Sequence, residues 1–302
     1  MISFWDYFDF RAMWSPFLLL LLLGVYAAYL LITGPLKPKL GSTEHTDWGK
    51  KMLFGLGIAL LYTALGSPLD LMAHLSFSAH MFTMAIAYIA APPLLLLGVP
   101  NWLYLRIANI PGMKSLRFLL RPIFATILFN GLFSLYHLPV VHDYVMTHYF
   151  IHTVYYFVLL ITALMMWWPI VNPLPDTNSL SDLKKLAYVF INGVLLTPAC
   201  AMIIFADQAM YATYTDPQVW ATAMGYCVPA GSEAILTNFG GPEFFMSYDP
   251  RADQQLGGVI MKLMQEFIYG FILIYIFTNW YRKENQEDEI EESWQDGNLN
   301  RA

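Results

Sequence analysis

Leu71–Leu97 reads LMAHLSFSAHMFTMAIAYIAAPPLLLL, with no Asp, Glu, Lys or Arg and with two histidines, His74 and His80. A hydrocarbon core of roughly 30 Å is crossed by about 20 helical residues, so this stretch is long enough to span a bilayer. Six further apolar stretches can be read the same way: Pro16–Thr33, Lys51–Gly66, Arg121–Tyr136, His148–Val171, Lys185–Phe205 and Gly257–Tyr281. Lys51–Gly66 and Arg121–Tyr136 are the shortest. In lipid an open strand leaves its backbone unsatisfied, so all seven are expected to be helices. The expectation is an all-α, polytopic membrane protein with seven transmembrane helices.

Composition agrees. The chain has 302 residues, of which 57% are hydrophobic and only 13% charged, with a mean hydropathy of +0.48. Soluble domains carry charge on about a quarter of their residues. A single bundle over residues 1–281 is expected, followed by an acidic tail, 282–302. The net charge of −6 sits largely in that tail, from Glu284 to Asp296, which is expected to be solvated and disordered. Nothing here points to a nucleic-acid partner; the lipid bilayer is the obvious one. The first 16 residues carry Asp6 and Asp9 against Arg11, the wrong charge for the leading region of a cleavable signal peptide. Cys200 and Cys227 form no CxxC motif or disulfide framework.

Lysine and arginine in the loops orient such a protein, because cytoplasmic loops hold the excess. Lys37, Lys39, Lys50 and Lys51 follow the first span. Arg106, Lys114, Arg117 and Arg121 follow the third, Lys184 and Lys185 the fifth, and Arg282 and Lys283 the seventh. The other side has Arg11 and Arg251. The N-terminus is therefore expected outside and the C-terminus in the cytoplasm. The largest external connection, 207–256, is expected to cap the bundle. Within it, Asp216-Pro217 reads as the N-cap and first residue of a short helix.

On this topology six of the seven histidines fall at the external ends: His74, His80, His137, His142, His148 and His152. His80 and Met84 are four residues apart on one helical face, as are His148 and His152. Pro139 is expected to end the helix carrying His137, leaving His142 and Asp143 in a loop. Imidazole is the commonest metal-binding side chain, and imidazole with thioether suits copper better than the oxygen-seeking Mg or Ca. The candidate metal ligands are His80, His152, His137, Met84, His148 and His74. The plainer reading is that histidines and aromatics rest at the interface, as amphipathic rings do, and that Met84 only packs. Lys262 and Glu266 lie four apart inside the last span, where charges are paired or functional. Pro92-Pro93 and Pro100 bracket the inner end of the third helix and are expected to stop it and shape a turn. The common nucleotide-binding and hydrolase motifs are absent, so no enzyme activity is expected.

Several segments together resemble the CtaG family of assembly factors for caa3-type cytochrome c oxidase. They are Gly66-Ser67-Pro68-Leu69-Asp70, Ser78-Ala79-His80-Met81, the run Ala91–Pro100, Tyr136-His137-Leu138-Pro139, Trp167-Trp168-Pro169, Ala206–Tyr211 and Asp253–Met261. They cover nearly the whole chain, in the family's order. The resemblance implies a multi-pass protein of the bacterial plasma membrane that a haem–copper oxidase needs to mature, with oxidase subunits as partners and copper as cargo. Many members carry a further histidine four residues after the ones matching His80 and His152; here those positions are Met84 and Tyr156. A four-histidine site is therefore not expected. A homo-oligomer is left open. The alternative is a transporter of copper or another metal ion, which should continue its polar or soft ligands across the membrane. A haem oxidoreductase would need histidine pairs deep in facing helices.

Overall fold

The computed structural model describes residues 8, 10–112, 117–171, 180–225, 236, 241 and 249–299. It is helical throughout, with no strand among those residues. The helices are α1 (Phe10–Trp14), α2 (Pro16–Thr33), α3 (Trp48–Leu65), α4 (Pro68–Leu75), α5 (Phe77–Ala85), α6 (Ala91–Gly98) and α7 (Asn101–Ala108). They continue as α8 (Pro122–Tyr136), α9 (Pro139–Met146), α10 (Tyr149–Val171), α11 (Asp182–Ile204), α12 (Pro217–Met224) and α13 (Pro250–Leu299). Six stretches are long and apolar enough to cross a membrane, and the bent pair α8–α9 makes a seventh.

The span Phe77–Gly98 is the centre of the bundle. Of its most apolar stretch 72% is buried inside the protein, against 11% for Phe10–Thr33. α3, α10 and α13 pack around it. Close approach is made possible by small residues, as is usual where lipid supplies no hydrophobic drive. A Cβ on Gly98 would come within 2.6 Å of the Phe54 backbone, and one on Gly257 within 2.7 Å of the Phe77 ring. Gly257 thus lets the start of α13 lie against α5, at the end of the bundle where His80 sits.

Four local readings are corrected. The third span does not run unbroken from Leu71. The chain extends at Ser76 (φ −137°, ψ 129°), which ends α4 and caps α5. The cause lies on α13: the Asp253 carboxylate accepts from Phe77 N at 2.7 Å, Ser76 Oγ at 2.9 Å, Ser78 Oγ at 2.5 Å and Ser78 N at 3.3 Å. A carboxylate at free N–H groups and a helix N-terminus is favourable on both counts, and it holds α5 as a separate helix.

Of the prolines expected to stop the central span, Pro92-Pro93 does not, and the helix ends at Gly98, ahead of Pro100. A π-helical turn, Ile86–Ala90, precedes the proline pair, and α6 runs on to Gly98. The wide turn accommodates the missing amides and the ring clash of the two prolines. Pro139 does end α8, but the next residues are not a loop. It opens α9 as its first residue, the position proline favours, and α9 folds back at 79° to α8. Finally, α13 starts at Pro250 and continues to Leu299, so the acidic tail is largely helical rather than disordered. Its Glu, Gln and Lys residues are good helix formers.

Asp216 caps α12 as expected, its Oδ1 accepting from Gln218 N at 2.8 Å and Val219 N at 3.1 Å. Cys200 is buried and free; Cys227 lies outside the described residues.

Candidate functional site

The extended Ser76 and the bend at Pro139 have one joint consequence. α5 begins just above His80, and α9 lies across the top of α8 with His142 pointing inward. His80, His137 and His142 are buried, at 1%, 0% and 0% exposure. The ring centres of His80 and His142 are 5.3 Å apart and those of His80 and His137 6.3 Å. His74, at the end of α4, and His152, on the first turns of α10, form a second pair at 5.8 Å. Five histidines thus gather at one end of the bundle.

Aromatic rings make the walls. Tyr136 lies 5.7 Å from His80 and 5.3 Å from His142. Phe77 lies 5.7 Å from His80 and stacks on Tyr211 at 4.5 Å. Tyr211 in turn lies 4.6 Å from His142. Below, the hydroxyls of Tyr136 and Tyr156 meet at 3.1 Å, and the Tyr156 ring lies 4.0 Å from His152.

The lid is the segment Tyr211–Thr215, held in three places. The Asp143 carboxylate accepts from Ala212 N at 3.0 Å, Thr213 N at 3.0 Å and Thr213 Oγ1 at 2.7 Å. The Tyr211 hydroxyl donates to the His137 carbonyl at 2.7 Å, and that of Tyr214 to the Ala73 carbonyl at 2.8 Å. Burial raises the pKa of both phenols, with the nearby Asp143 carboxylate adding to it, so they remain protonated donors.

The ring nitrogens decide what the cluster can do. Nδ1 of His137 meets the Phe133 carbonyl at 2.7 Å, and Nδ1 of His74 the Asp70 carbonyl at 2.9 Å. A carbonyl only accepts, so each Nδ1 carries the proton and each Nε2 keeps its lone pair. The Nε2 atoms of His80, His137, His142 and His152 are buried with no hydrogen-bond partner in the protein. His142 Nδ1 is 3.5 Å from an Asp143 oxygen and makes no hydrogen bond there. Buried polar atoms are normally satisfied, and a histidine whose other nitrogen donates to a carbonyl is the usual metal-ligand arrangement. Two imidazoles sharing one metal through bonds of about 2 Å have ring centres at most roughly 6.5 Å apart. The three pairs of ring centres above meet that limit. Among the described residues, however, no three or more His, Cys, Asp or Glu side chains are grouped tightly enough to hold one ion. The rings fit copper in donor type, His137 and His74 also in tautomer, and three-fold ligation needs them to turn.

Of the six residues expected as ligands, four lie in the cluster: His74, His80, His137 and His152. His148 stands apart. It is exposed, with Nδ1 2.7 Å from the Tyr144 carbonyl and its ring over Tyr144. Met84 is 1% exposed and belongs to the hydrophobic core one turn below His80. His142, the fifth histidine of the cluster, is not among those six. The signal for it was Pro139, read as a stop when it was a start.

A family model described as cytochrome c oxidase caa3 assembly factor matches residues 27–283. No curated protein and no solved structure matches.

Proposed function

The chain belongs to the family of cytochrome c oxidase caa3 assembly factors, and from that premise we propose that it serves assembly by binding copper at the histidine end of the bundle and passing it to the oxidase. It is a multi-pass protein of the bacterial membrane, and its role is binding, not catalysis. The observation that carries the reading is the set of buried Nε2 atoms on His80, His137, His142 and His152 that no protein group satisfies.

Copper here is cargo. Its preference for imidazole and thioether makes His80, His137 and His142 the holding residues, with Met84 one turn below them. His74 and His152, only half-buried, form the rim of the site. The backbone carbonyls of Phe133 and Asp70 fix the tautomers of His137 and His74. Tyr211 and Phe77 exclude water. Release requires Tyr211–Thr215 to lift, which breaks the Asp143 contacts. In this reading the histidine end faces outward, with the N-terminus outside and the C-terminus in the cytoplasm, and the excess of Lys and Arg in the loops at the other end supports it.

The test is copper retention by the purified full-length chain. The parent is expected to bind Cu(I), and His80→Ala combined with His142→Ala to bind none while still folding. A folded double variant that retains copper like the parent rejects this ligand set. Deleting the protein should abolish cytochrome c oxidase activity and spare a quinol oxidase in the same cell. Normal oxidase activity in the deletion rejects the assembly role in this organism.

A further inference from the structure

We propose that the lipid-facing side of α13 around Glu266 and Gly270 is a docking site for one transmembrane helix of the oxidase, which presents a hydroxyl, amide or indole donor to the Glu266 carboxylate. The proposal rests on the assembly role above.

Between Asp253 and Arg282 the only charged residues are Lys262 and Glu266. Residues 254–281 make a helix of about 42 Å at 1.5 Å per residue. A hydrocarbon core of about 30 Å, wherever it falls within that length, contains both charges. They pair at 2.5 Å, yet they are not equally covered: the Lys262 side chain is 26% exposed and that of Glu266 58%. Lys262 turns inward and also donates to Thr197 Oγ1 at 2.9 Å and the Gly193 carbonyl at 3.4 Å. Glu266 is left facing lipid. Charged groups in a span ordinarily face the bundle interior or a water-filled cavity, so an outward carboxylate at this depth calls for a cover with a donor.

The shape beside it suits a helix. Gly270 lies one turn further on, and a Cβ there would meet nothing within 4 Å. Leu263 (64% exposed) and Phe267 (69%) stand on the same face, and the Phe267 and Phe271 rings pack edge-on at 4.7 Å. A polar anchor one turn from an open glycine is the combination by which helices associate in lipid. A second copy of this chain is a poor occupant. A two-fold axis through this face would set two Glu266 carboxylates, both acceptors, against each other and supply neither with a further donor.

A photo-crosslinking residue in place of Leu263, in the full-length chain in its native membrane, tests this directly. The expected adduct, identified by mass spectrometry, is a transmembrane segment of an oxidase subunit. Glu266→Leu and Gly270→Leu should each lower its yield by roughly three- to tenfold at equal protein level. Glu266→Gln, which keeps an acceptor, should restore most of it. Lys262 retains Thr197 in all three, so the helix stays anchored. An adduct with a second copy, with an unrelated protein or with lipid alone overturns the proposal, as does an oxidase adduct indifferent to both leucine substitutions. If the deletion strain lacks oxidase activity while these results go against the site, the assembly role stands and only the docking face falls.

Discussion

Two buried polar clusters share α8, about two turns apart, and they are built on opposite principles. Near the middle of the helix, Asn130 Nδ2 donates to the Thr126 carbonyl at 2.9 Å and to Asn192 Oδ1 at 2.8 Å. Asn192 Nδ2 donates to the Tyr188 carbonyl at 2.8 Å and to Thr126 Oγ1 at 3.3 Å. Both side-chain amides place their donors within the protein, and only Asn130 Oδ1 is left without a partner. At the end of the same helix, His137 keeps an Nε2 that nothing in the protein meets, as do His80, His142 and His152. A network that places its donors between helices holds them together; a cluster that gathers four open Nε2 atoms at one end of the bundle is arranged for something else. Substitutions in the two clusters should therefore separate stability from copper binding.

The largest effect, on stability and copper binding together, is expected from a residue that touches neither cluster. Asp253 supports the first turn of α5, and hence His80, through four hydrogen bonds from Ser76, Phe77 and Ser78. Asp253→Ala leaves the buried Phe77 N–H and the part-buried Ser78 N–H open, and hydrogen bonds to a charged group are worth about 1.5–3 kcal/mol each. A loss of about 3 kcal/mol in stability is expected, read as a lowered melting temperature in detergent. Copper affinity should fall about 10- to 100-fold, as when a ligand's supporting contacts are removed. Unchanged affinity in the folded variant would show that α5 holds His80 without Asp253.

A smaller effect is expected at the lid. Asp143→Ala removes all three contacts that hold Ala212 and Thr213 but no ligand. Copper release should quicken about tenfold, equivalent to about 1.4 kcal/mol, and uptake should quicken too, so affinity moves little. Stopped-flow transfer to a chelator reads both rates. Release at the parent rate would mean that Tyr211–Thr215 does not gate the site.

The spans were legible in the sequence because the bilayer imposes their length and polarity locally. The breaks were not. The interruption at Ser76 is fixed by Asp253, 177 positions away, which no local pattern reveals. Proline misled twice, and for one reason. Pro92-Pro93 and Pro139 were read by what they forbid, whereas the chain uses Pro139 to begin α9 and absorbs the other two in a π turn. That error moved His142 from a buried helix into an imagined loop. The Lys262–Glu266 pair was visible as spacing. Which of its two ends faces lipid depends on Thr197 and Gly193 of α11, so only the packed helices show it.

The smallest expected effect tests the other side of the comparison. Asn192→Leu removes the amide whose donors reach Tyr188 and Thr126 and whose acceptor receives Asn130. The site is fully buried, with Asn192 at 1% exposure. Hydrogen bonds between helices in lipid contribute only about 0.6 kcal/mol on average and up to about 1.7. Leucine has the same branched four-atom skeleton as asparagine, with bulkier methyl groups, and packs without a polar atom to satisfy. Thr126 keeps its carbonyl contact from Asn130, so one donor on Asn130 is the main group orphaned. A stability loss of about 1 kcal/mol is expected, with copper affinity and release unchanged, since the histidine end is about 10 Å further along α8. If Asn192→Leu lowers copper affinity as much as Asp253→Ala does, the two clusters are one coupled unit, and the division between glue and ligand pocket does not hold.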